Sequence, residues 1–182
     1  MSVFVPASRY FQGSVVVGDK IYFLGGIGSS GKGTSDFFYL NVSSPFNAAN
    51  PVWTDLTSAA PIPVFSAFSP SCVGGSNNAS IFLFEHRSTN NVNSTTLVTF
   101  TLDTASPKWT TSITSEIDMT KITIYDTNSG TWSSMTAAGD VIAARESHSA
   151  VLGGAKNLTV APTPNLAALD TSTTPYSWSS KQ

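Results

Sequence analysis

The chain has few of the residues that most often do chemistry. It holds one cysteine, Cys72, and two histidines, His86 and His148, in 182 residues. A single cysteine excludes an intramolecular disulfide. Charged residues make up 11%, against about 25% in an average domain. No cluster of Lys and Arg forms the basic face that binding to nucleic acid requires, so no nucleic-acid partner is expected. No apolar run approaches the ~18 residues that cross a bilayer, so no membrane span is expected. The first thirteen residues lack a charged start followed by an apolar core, which argues against a signal peptide. Nor does the periodicity announce a helix of ordinary length. Ala137–Glu146 could form a turn or two, but it fits a connecting loop better.

What is present is 41% hydrophobic residues on a net charge of −2 and a pI near 5.5. Disordered chains combine low hydrophobicity with high net charge, so this composition predicts a packed structure. Ser, Thr and Asn supply most of the polar surface. Glycosylation sequons begin at Asn41, Asn78, Asn93 and Asn157. They operate only in the secretory route; they hint at a secretory ancestry and leave the compartment undecided.

The dominant feature is a recurring phrase: a hydrophobic residue, Asp-Thr, a short polar turn, then Trp. It runs from Leu102 to Trp109, from Tyr125 to Trp132 and from Leu169 to Trp178, with a looser copy from Leu40 to Trp53. All four tryptophans close such a copy. An internal repeat of this kind signals a repeat-built architecture.

Each copy sits at the end of a longer unit. Ser14–Val17 and Lys20–Gly26 flank Gly18-Asp19, two β-rich runs around a two-residue turn, which predicts a hairpin. Both runs are apolar at consecutive positions, the pattern of strands covered on both faces. Gly25-Gly26 allows a neighbouring backbone to approach closely or the chain to take an unusual dihedral. After a glycine-rich loop (Ile27–Ser35), Asp36–Val42 and Val52–Leu56 complete four antiparallel strands. The second unit repeats the order with strands over Phe65–Val73, Ala79–His86, Thr95–Asp103 and Lys108–Ile113, and Glu85-His86 stand where the double glycine stood. Pro70 marks its first strand as irregular or at an edge. The spacing then breaks. The interval Trp109–Trp132 is less than half of Trp53–Trp109. Thr114–Met135 holds only two strands, over Thr120–Thr127 and Thr131–Met135. The last unit opens on Arg145–Leu152, which aligns with Arg9–Val16, and runs straight into Gly153-Gly154. Its remaining strands fall at Pro164–Thr171 and Tyr176–Ser179. Losses are expected near Ser112–Thr120 and at Leu152-Gly153.

A strand, a turn, a strand ending in Gly-Gly, a Tyr-Asp-type strand and a later Trp resemble the kelch repeat. The carriers are Arg9 with Ser14–Gly26 and Trp53, Val98–Asp103 with Trp109, Ile122–Trp132, and Arg145–Gly154 with Leu169–Trp178. The chain is most similar to fungal kelch-repeat proteins of the galactose-oxidase-like kind. The resemblance implies an all-β fold of kelch-type propeller blades, each of four antiparallel strands. It implies about three to four such units over residues 1–182: about 9–57, 62–113, a half unit at 117–136, and 143–180. A closed propeller needs more blades than this length provides. The expectation is therefore an open, truncated or internally deleted arc, whose free blade faces would invite self-association.

In function, the resemblance points to a non-catalytic scaffold that binds protein, or glycan, through loops at one end of the blades, a fragment of a longer propeller. The loops proposed are Ile27–Ser35 and Arg87–Ser94. It also carries a rival, a copper-radical oxidase built from two Tyr, one Cys and two His. Cys72, His86, His148 and the five tyrosines supply the residue types. Their contexts point elsewhere. Cys72 closes an inner strand, where a free cysteine packs as a small hydrophobe. His148 opens a strand, as Gln12 does, and His86 ends one. No His-x-His or Cys-x-x-Cys spacing suits a metal. No catalytic residue and no cofactor are expected. A gene fragment without function is the third reading. Lys32 in the glycine-rich loop lacks both the phosphate-loop spacing and a following helix. Glu116 and Asp118 fit a solvated turn. Asp140, Ser147 and His148 have the letters of a triad without evidence of its geometry.

Overall fold

A computed structural model describes residues 4–88, 95–114, 121–141 and 166–181. Among them the chain is all strand and turn, with no helix, and so no helix long and apolar enough to cross a membrane. The strands are β1 (Arg9–Tyr10), β2 (Gly13–Val17), β3 (Lys20–Leu24), β4 (Ile27–Gly28), β5 (Phe37–Asn41) and β6 (Trp53–Asp55). Then follow β7 (Ser71–Gly74), β8 (Ser80–Ser88), β9 (Thr95–Asp103), β10 (Trp109–Thr114), β11 (Ile122–Asp126) and β12 (Thr131–Met135). The last are β13 (Ala138–Gly139), β14 (Leu166–Asp170) and β15 (Ser177–Lys181). They form several sheets, antiparallel except for the pairing of β13 with β15, and the chain clusters into two compact units. One comprises Met1–Ile117 with Thr127–Gly130, the other Asp118–Asp126 with Thr131–Gln182.

The first unit contains two four-stranded sheets, β2-β3-β5-β6 and β7-β8-β9-β10, each in simple sequence order. Both are meanders, as the turn signals predict. Val17 lies opposite Lys20 across the two-residue turn at Gly18-Asp19. The second sheet differs from expectation at its entry. Its first strand covers only Ser71–Gly74, at the sheet edge, rather than Phe65–Val73. Pro63 and Pro70 remove ladder donors, and Phe68 takes a left-handed φ of 61°, so pairing cannot begin earlier.

The pairing register makes the two sheets copies of each other. Lys20 lies opposite Asn41 and Ile21 opposite Leu40, as Ser80 lies opposite Asp103 and Ile81 opposite Leu102. Val42 N–H donates to the Asp19 carbonyl at 2.7 Å, and Thr104 N–H donates to the corresponding Ala79 carbonyl at 3.1 Å. The Trp phrase is the same hairpin throughout. Trp53 pairs with Leu40, Trp109 with Leu102, Trp132 with Tyr125 and Trp178 with Leu169. The acidic or amide residue starts the turn. Asn41, Asp103 and Asp170 each accept, through Oδ1, the backbone N–H two residues on at 2.9 Å. This is the Asx turn, which explains why Asp or Asn recurs at this position.

Between the two sheets lies the core of this unit. Val15, Tyr22, Leu24 and Phe37 on one face of the first sheet join Ile81, Leu83, Val98, Phe100 and Leu102 on one face of the second. Ala60 and Ile62, in the connection, complete it. Trp109 stands edge-on to Phe37 with ring centroids 5.6 Å apart, and its indole N–H donates to the Ala60 carbonyl at 3.1 Å. The two contributing faces are not equivalent. The second sheet presents its Trp side, whereas the first presents the side away from Trp53. Continuous apolar runs are buried on both faces in β9, where Leu97, Val98, Thr99 and Phe100 are all buried. In β2 they are not: Val15 is buried and Val16 is 59% exposed.

Thr99 is completely buried, and among the described residues its hydroxyl has no hydrogen-bond partner. Leaving a buried hydroxyl unbonded costs about 1–3 kcal/mol. Thr99→Val keeps the shape and the β-branching, so it is expected to stabilise the protein by about 1 kcal/mol, read as a higher urea midpoint at unchanged slope. A lower midpoint would show that the hydroxyl is engaged in solution.

In the second unit, β11 and β12 form a hairpin, and β13, β15 and β14 form a three-stranded sheet in that order. Ala138–Gly139, expected as part of a loop, instead pair in parallel with Ser177 and Trp178. A Cβ on Gly139, whose φ is +84°, would collide with the Trp178 carbonyl, so glycine is required for this approach. Arg145–Leu152, Gly153-Gly154, Glu116 and Asp118 lie outside the described residues.

A candidate binding surface at one end of the first unit

Three segments meet where β2 begins and β3 ends. They are β1 with the residues after it, the stretch from Gly25 to Asp36, and the connection from Ile62 to Pro70. Backbone bonds tie them together. Gly26 N–H donates to the Ser66 carbonyl at 2.6 Å, Ser66 N–H to the Thr34 carbonyl at 3.0 Å, and Thr34 N–H to the Gly26 carbonyl at 2.9 Å. The double glycine makes this possible. Gly25 and Gly26 have φ of 60° and 99°. A Cβ on Gly25 would lie 2.9 Å from the Ser66 Cβ, and one on Gly26 would lie 3.0 Å from the Tyr10 carbonyl oxygen. Both reasons anticipated from the sequence, close approach and unusual dihedral, apply.

Arg9 anchors the same end. Its Nη2 meets Asp36 Oδ2 at 2.7 Å, its Nη1 donates to the Gly25 carbonyl at 3.2 Å, and its guanidinium lies 4.8 Å from the centroid of the Phe38 ring. Only 7% of the Arg9 side chain is exposed. It is a strut, not a free cation.

The glycine-rich stretch Ile27–Ser35 is a small hairpin. β4 pairs with β1, Ile27 bridges Gly33, Gly28 N–H donates to the Lys32 carbonyl at 3.1 Å and Gly31 N–H to the Gly28 carbonyl at 3.0 Å. Its own carbonyls occupy these amides, so they do not form a phosphate cradle. Lys32 stands exposed on the turn. Of the other loop, Arg87 and Ser88 belong to the end of β8, and the following residues lie outside the described ones.

Beside the hairpin is a cluster that sequence reasoning did not single out. Phe11 and Phe68 stack with centroids 3.9 Å apart at 29°, and Tyr10 stands edge-on to Phe11 at 4.9 Å. All three rings are half exposed or more. Phe11 and Phe68 both take left-handed φ, 57° and 61°, and Phe68 N–H donates to the Phe11 carbonyl at 3.0 Å. Bulky residues avoid that region, and each such residue costs about 1–3 kcal/mol. Phe65, 78% exposed, lies three residues before Phe68 against Gly33. A signal existed in the sequence. In the alignment of Arg9–Val16 with Arg145–Leu152, Tyr10-Phe11 stand where the last copy has Glu146-Ser147, so two adjacent aromatics replace polar residues at a strand entrance.

The described residues considered for chemistry lie on different elements. Cys72 lies on β7 opposite Phe82, and burial pushes its thiol pKa up, against the thiolate that metal binding or nucleophilic attack needs. His86 lies on β8 opposite Leu97, and its side chain is outside the described residues, as is all of His148. Glu85 accepts a hydrogen bond from the Ser69 hydroxyl, which gives it a structural partner. Among the described residues no three of His, Cys, Asp and Glu gather as a metal set.

Asp140 accepts the Ser180 backbone N–H at 2.8 Å and its hydroxyl at 2.6 Å, both on Oδ2; Ser147 and His148 lie outside the described residues. The Ser180 hydroxyl and N–H hold the Asp140 carboxyl below the usual carboxylate range. A carboxylate whose folded pKa is depressed adds stability that is fully present above its unfolded pKa of about 3.9 and is lost as pH falls through the folded value. In an NMR titration Ser180→Ala is expected to raise the Asp140 pKa toward that unfolded value. An unchanged titration would disprove the role of Ser180.

A scan against models of known protein families finds no match, and a search of curated proteins finds none either.

Proposed function

We propose that this chain is a non-catalytic kelch-type scaffold, part of a longer propeller, that binds a partner protein (or a glycan) through the end carrying Tyr10–Gln12, Ile27–Ser35 and Phe65–Phe68. The observation that carries the reading is the head-to-tail stacking of two equivalent meanders. The Trp109 side of the second sheet packs on the side of the first sheet away from Trp53, so the same operation can be repeated by further sheets. A heterologous contact of this kind generates rings when the rotation closes. The face bearing Val16, Ile21, Phe23 and Trp53 is the counterpart of the one that the second sheet buries; Val16 is 59% exposed on it, while Phe38, against Phe4 and Arg9, and Leu40 are buried. The recurring Trp hairpin, with its Asx turn, supports the same repeat.

Loops at the end of a rigid β scaffold are where such folds carry recognition. Here that end holds exposed aromatic rings and a hairpin braced by buried Arg9. The test is an isotope-labelled sample of the full chain screened against a peptide library and a glycan array, with hits mapped by amide shift changes. Hits that perturb Tyr10–Gln12, Ile27–Ser35 or Phe65–Phe68 are expected. Hits confined to other strands, or copper-dependent production of hydrogen peroxide by the copper-loaded protein, would overturn the reading.

A further inference from the structure

We propose that Asn41 and Asn78 carry N-linked oligosaccharides, at the end of the first unit opposite the candidate binding surface. Both head sequons, Asn41-Val42-Ser43 and Asn78-Ala79-Ser80.

Three observations carry it. The first is that the amide nitrogen of Asn41 is surplus to folding. Its Oδ1 accepts the Ser43 N–H at 2.9 Å. Asp103 and Asp170 close the same turn in later copies, at the same distance, with a carboxylate oxygen. The turn therefore asks only for the oxygen. The Asn41 Nδ2 makes no hydrogen bond to the described residues, and Asn41 and Ser43 are both exposed. An N-linked sugar is attached through Nδ2 and leaves Oδ1 in place, so the turn and the glycan use different atoms of one side chain.

The second is that the whole side chain of Asn78 is surplus. The register aligns Ser80 with Lys20, so Asn78 stands where the first sheet has Gly18. The two share a left-handed backbone, with φ of 51° and 54°. A Cβ at Gly18 meets none of the described residues within 4 Å, so a side chain at this turn position points into open space. Asn77, not Asn78, accepts the Ala79 N–H, at 3.0 Å. The Asn78 side chain is exposed and makes no hydrogen bond to the described residues. Asn tolerates left-handed φ, and glycine would serve the turn equally well.

The third is place. β2 and β7 start side by side, since a Cβ on Gly13 would lie 2.7 Å from Ser71 Oγ. Both sheets therefore turn at the same end, where Asn41 lies opposite Lys20 and Asn78 precedes Ser80 by two residues. The Arg9 strut and the bonds of Gly26, Thr34 and Ser66 are at the other end, so bulky sugars here disturb none of them. Val52, the next residue beyond the Leu40–Trp53 pair and so the neighbour of Asn41 across the strands, is 72% exposed. A sugar on Asn41 shields it.

In the transfer, the Asn amide nitrogen attacks the anomeric carbon of an oligosaccharide carried on a lipid diphosphate. The C–N bond forms as the bond from that carbon to the diphosphate oxygen breaks. The lipid diphosphate leaves, the nitrogen gives up one proton, and nothing is oxidised or reduced. This reaction belongs to the secretory route. The reading of the chain as part of a longer one leaves room for the leader that the first thirteen residues do not resemble.

The experiment takes the full chain from the cells that make it and treats it with an amide-hydrolysing glycosidase in heavy-oxygen water. Each glycosylated Asn becomes a labelled Asp, read by peptide mass spectrometry. Conversion at both Asn41 and Asn78 is expected. Conversion at neither, or only at Asn93 or Asn157, overturns the proposal, and conversion at one alone overturns it for the other. Ser43→Ala and Ser80→Ala, which keep each Asn, are expected to abolish the conversion; conversion that persists would mark spontaneous deamidation and sink the glycan. Asn41→Asp and Asn78→Gly install what equivalent positions already hold. In chain produced without glycans they are expected to keep the melting temperature, and a clear fall would show that the side chain serves the fold and overturn its assignment. A chain that lacks glycans yet gives ligand-induced shifts at Tyr10–Gln12 would sink this proposal and leave the binding surface standing. A glycosylated chain without such shifts would do the reverse.

Discussion

Gly25→Ala is expected to destabilise the first unit by about 2–5 kcal/mol, combining a strained dihedral with overpacking. At its φ of 60° an L side chain is disfavoured, and the new Cβ would press into the Ser66 carbonyl and Cβ. Ser66 is 2% exposed and has no room to withdraw. Moving it would also break the bonds from Gly26 N–H and to the Thr34 carbonyl that join the three segments of the candidate surface. Gly18→Ala is the control. Gly18 has a similar φ of 54°, but none of the described residues lies within 4 Å of its Cβ position. Its substitution carries the dihedral penalty alone, about 1–2 kcal/mol. Urea midpoints for the two variants separate the effects, and equal losses would refute the close-approach argument. The Gly25 variant should also lose amide-exchange protection at Gly26, Thr34 and Ser66, because these amides donate within the affected network.

Phe37→Ala is expected to cost about 3–5 kcal/mol, the range for a buried aromatic truncated in a packed core. Phe37 is 0% exposed, stacks on Tyr22 at 5.7 Å and receives the edge of Trp109. It is where the two sheets meet, so its loss weakens the interface as well as one strand. Against a total of roughly 5–15 kcal/mol for an ordinary domain, this approaches the whole margin. Val16→Ala, on the same sheet but half exposed, should change stability by less than about 0.5 kcal/mol. If Phe37→Ala were equally mild, the two sheets would not share a core in solution. The chain should then bind a hydrophobic dye without denaturant.

The strands themselves were legible in the sequence. Thr95–Asp103 is observed with the boundaries read from it, and every described copy of the Trp phrase is a hairpin. The reason is local. Asp or Asn forms its turn with residues two positions away, and a β-rich run on either side needs no distant information to extend. The double glycine was also legible as a site of close approach, because only glycine permits it. The entry of the second sheet was not. Phe65–Val73 has the composition of a strand, but Phe68 is bound to the Phe11 carbonyl, a partner 57 residues away in sequence. That bond and the neighbouring prolines take the segment out of the ladder.

The candidate surface was half legible. Ile27–Ser35 stands out by its glycines. The Tyr10–Phe11–Phe68 stack does not, because two of its rings precede a strand and the third sits in a stretch that resembles one. Composition makes such rings core candidates. In the fold all three are exposed, Phe11 and Phe68 on left-handed backbones.

The sequence by itself determined the all-β character, the order of strands within each meander and the recurring Trp hairpin, since turns and alternating runs act over a few residues. The tertiary structure decided which face of each meander meets the other sheet. β2 and β3 are apolar on both sides, and nothing in their order says whether the Trp side or its opposite meets the next sheet. That choice rests on long-range packing, on Phe37 meeting Trp109 and on Ala60 receiving the indole N–H. It leaves Val16 exposed.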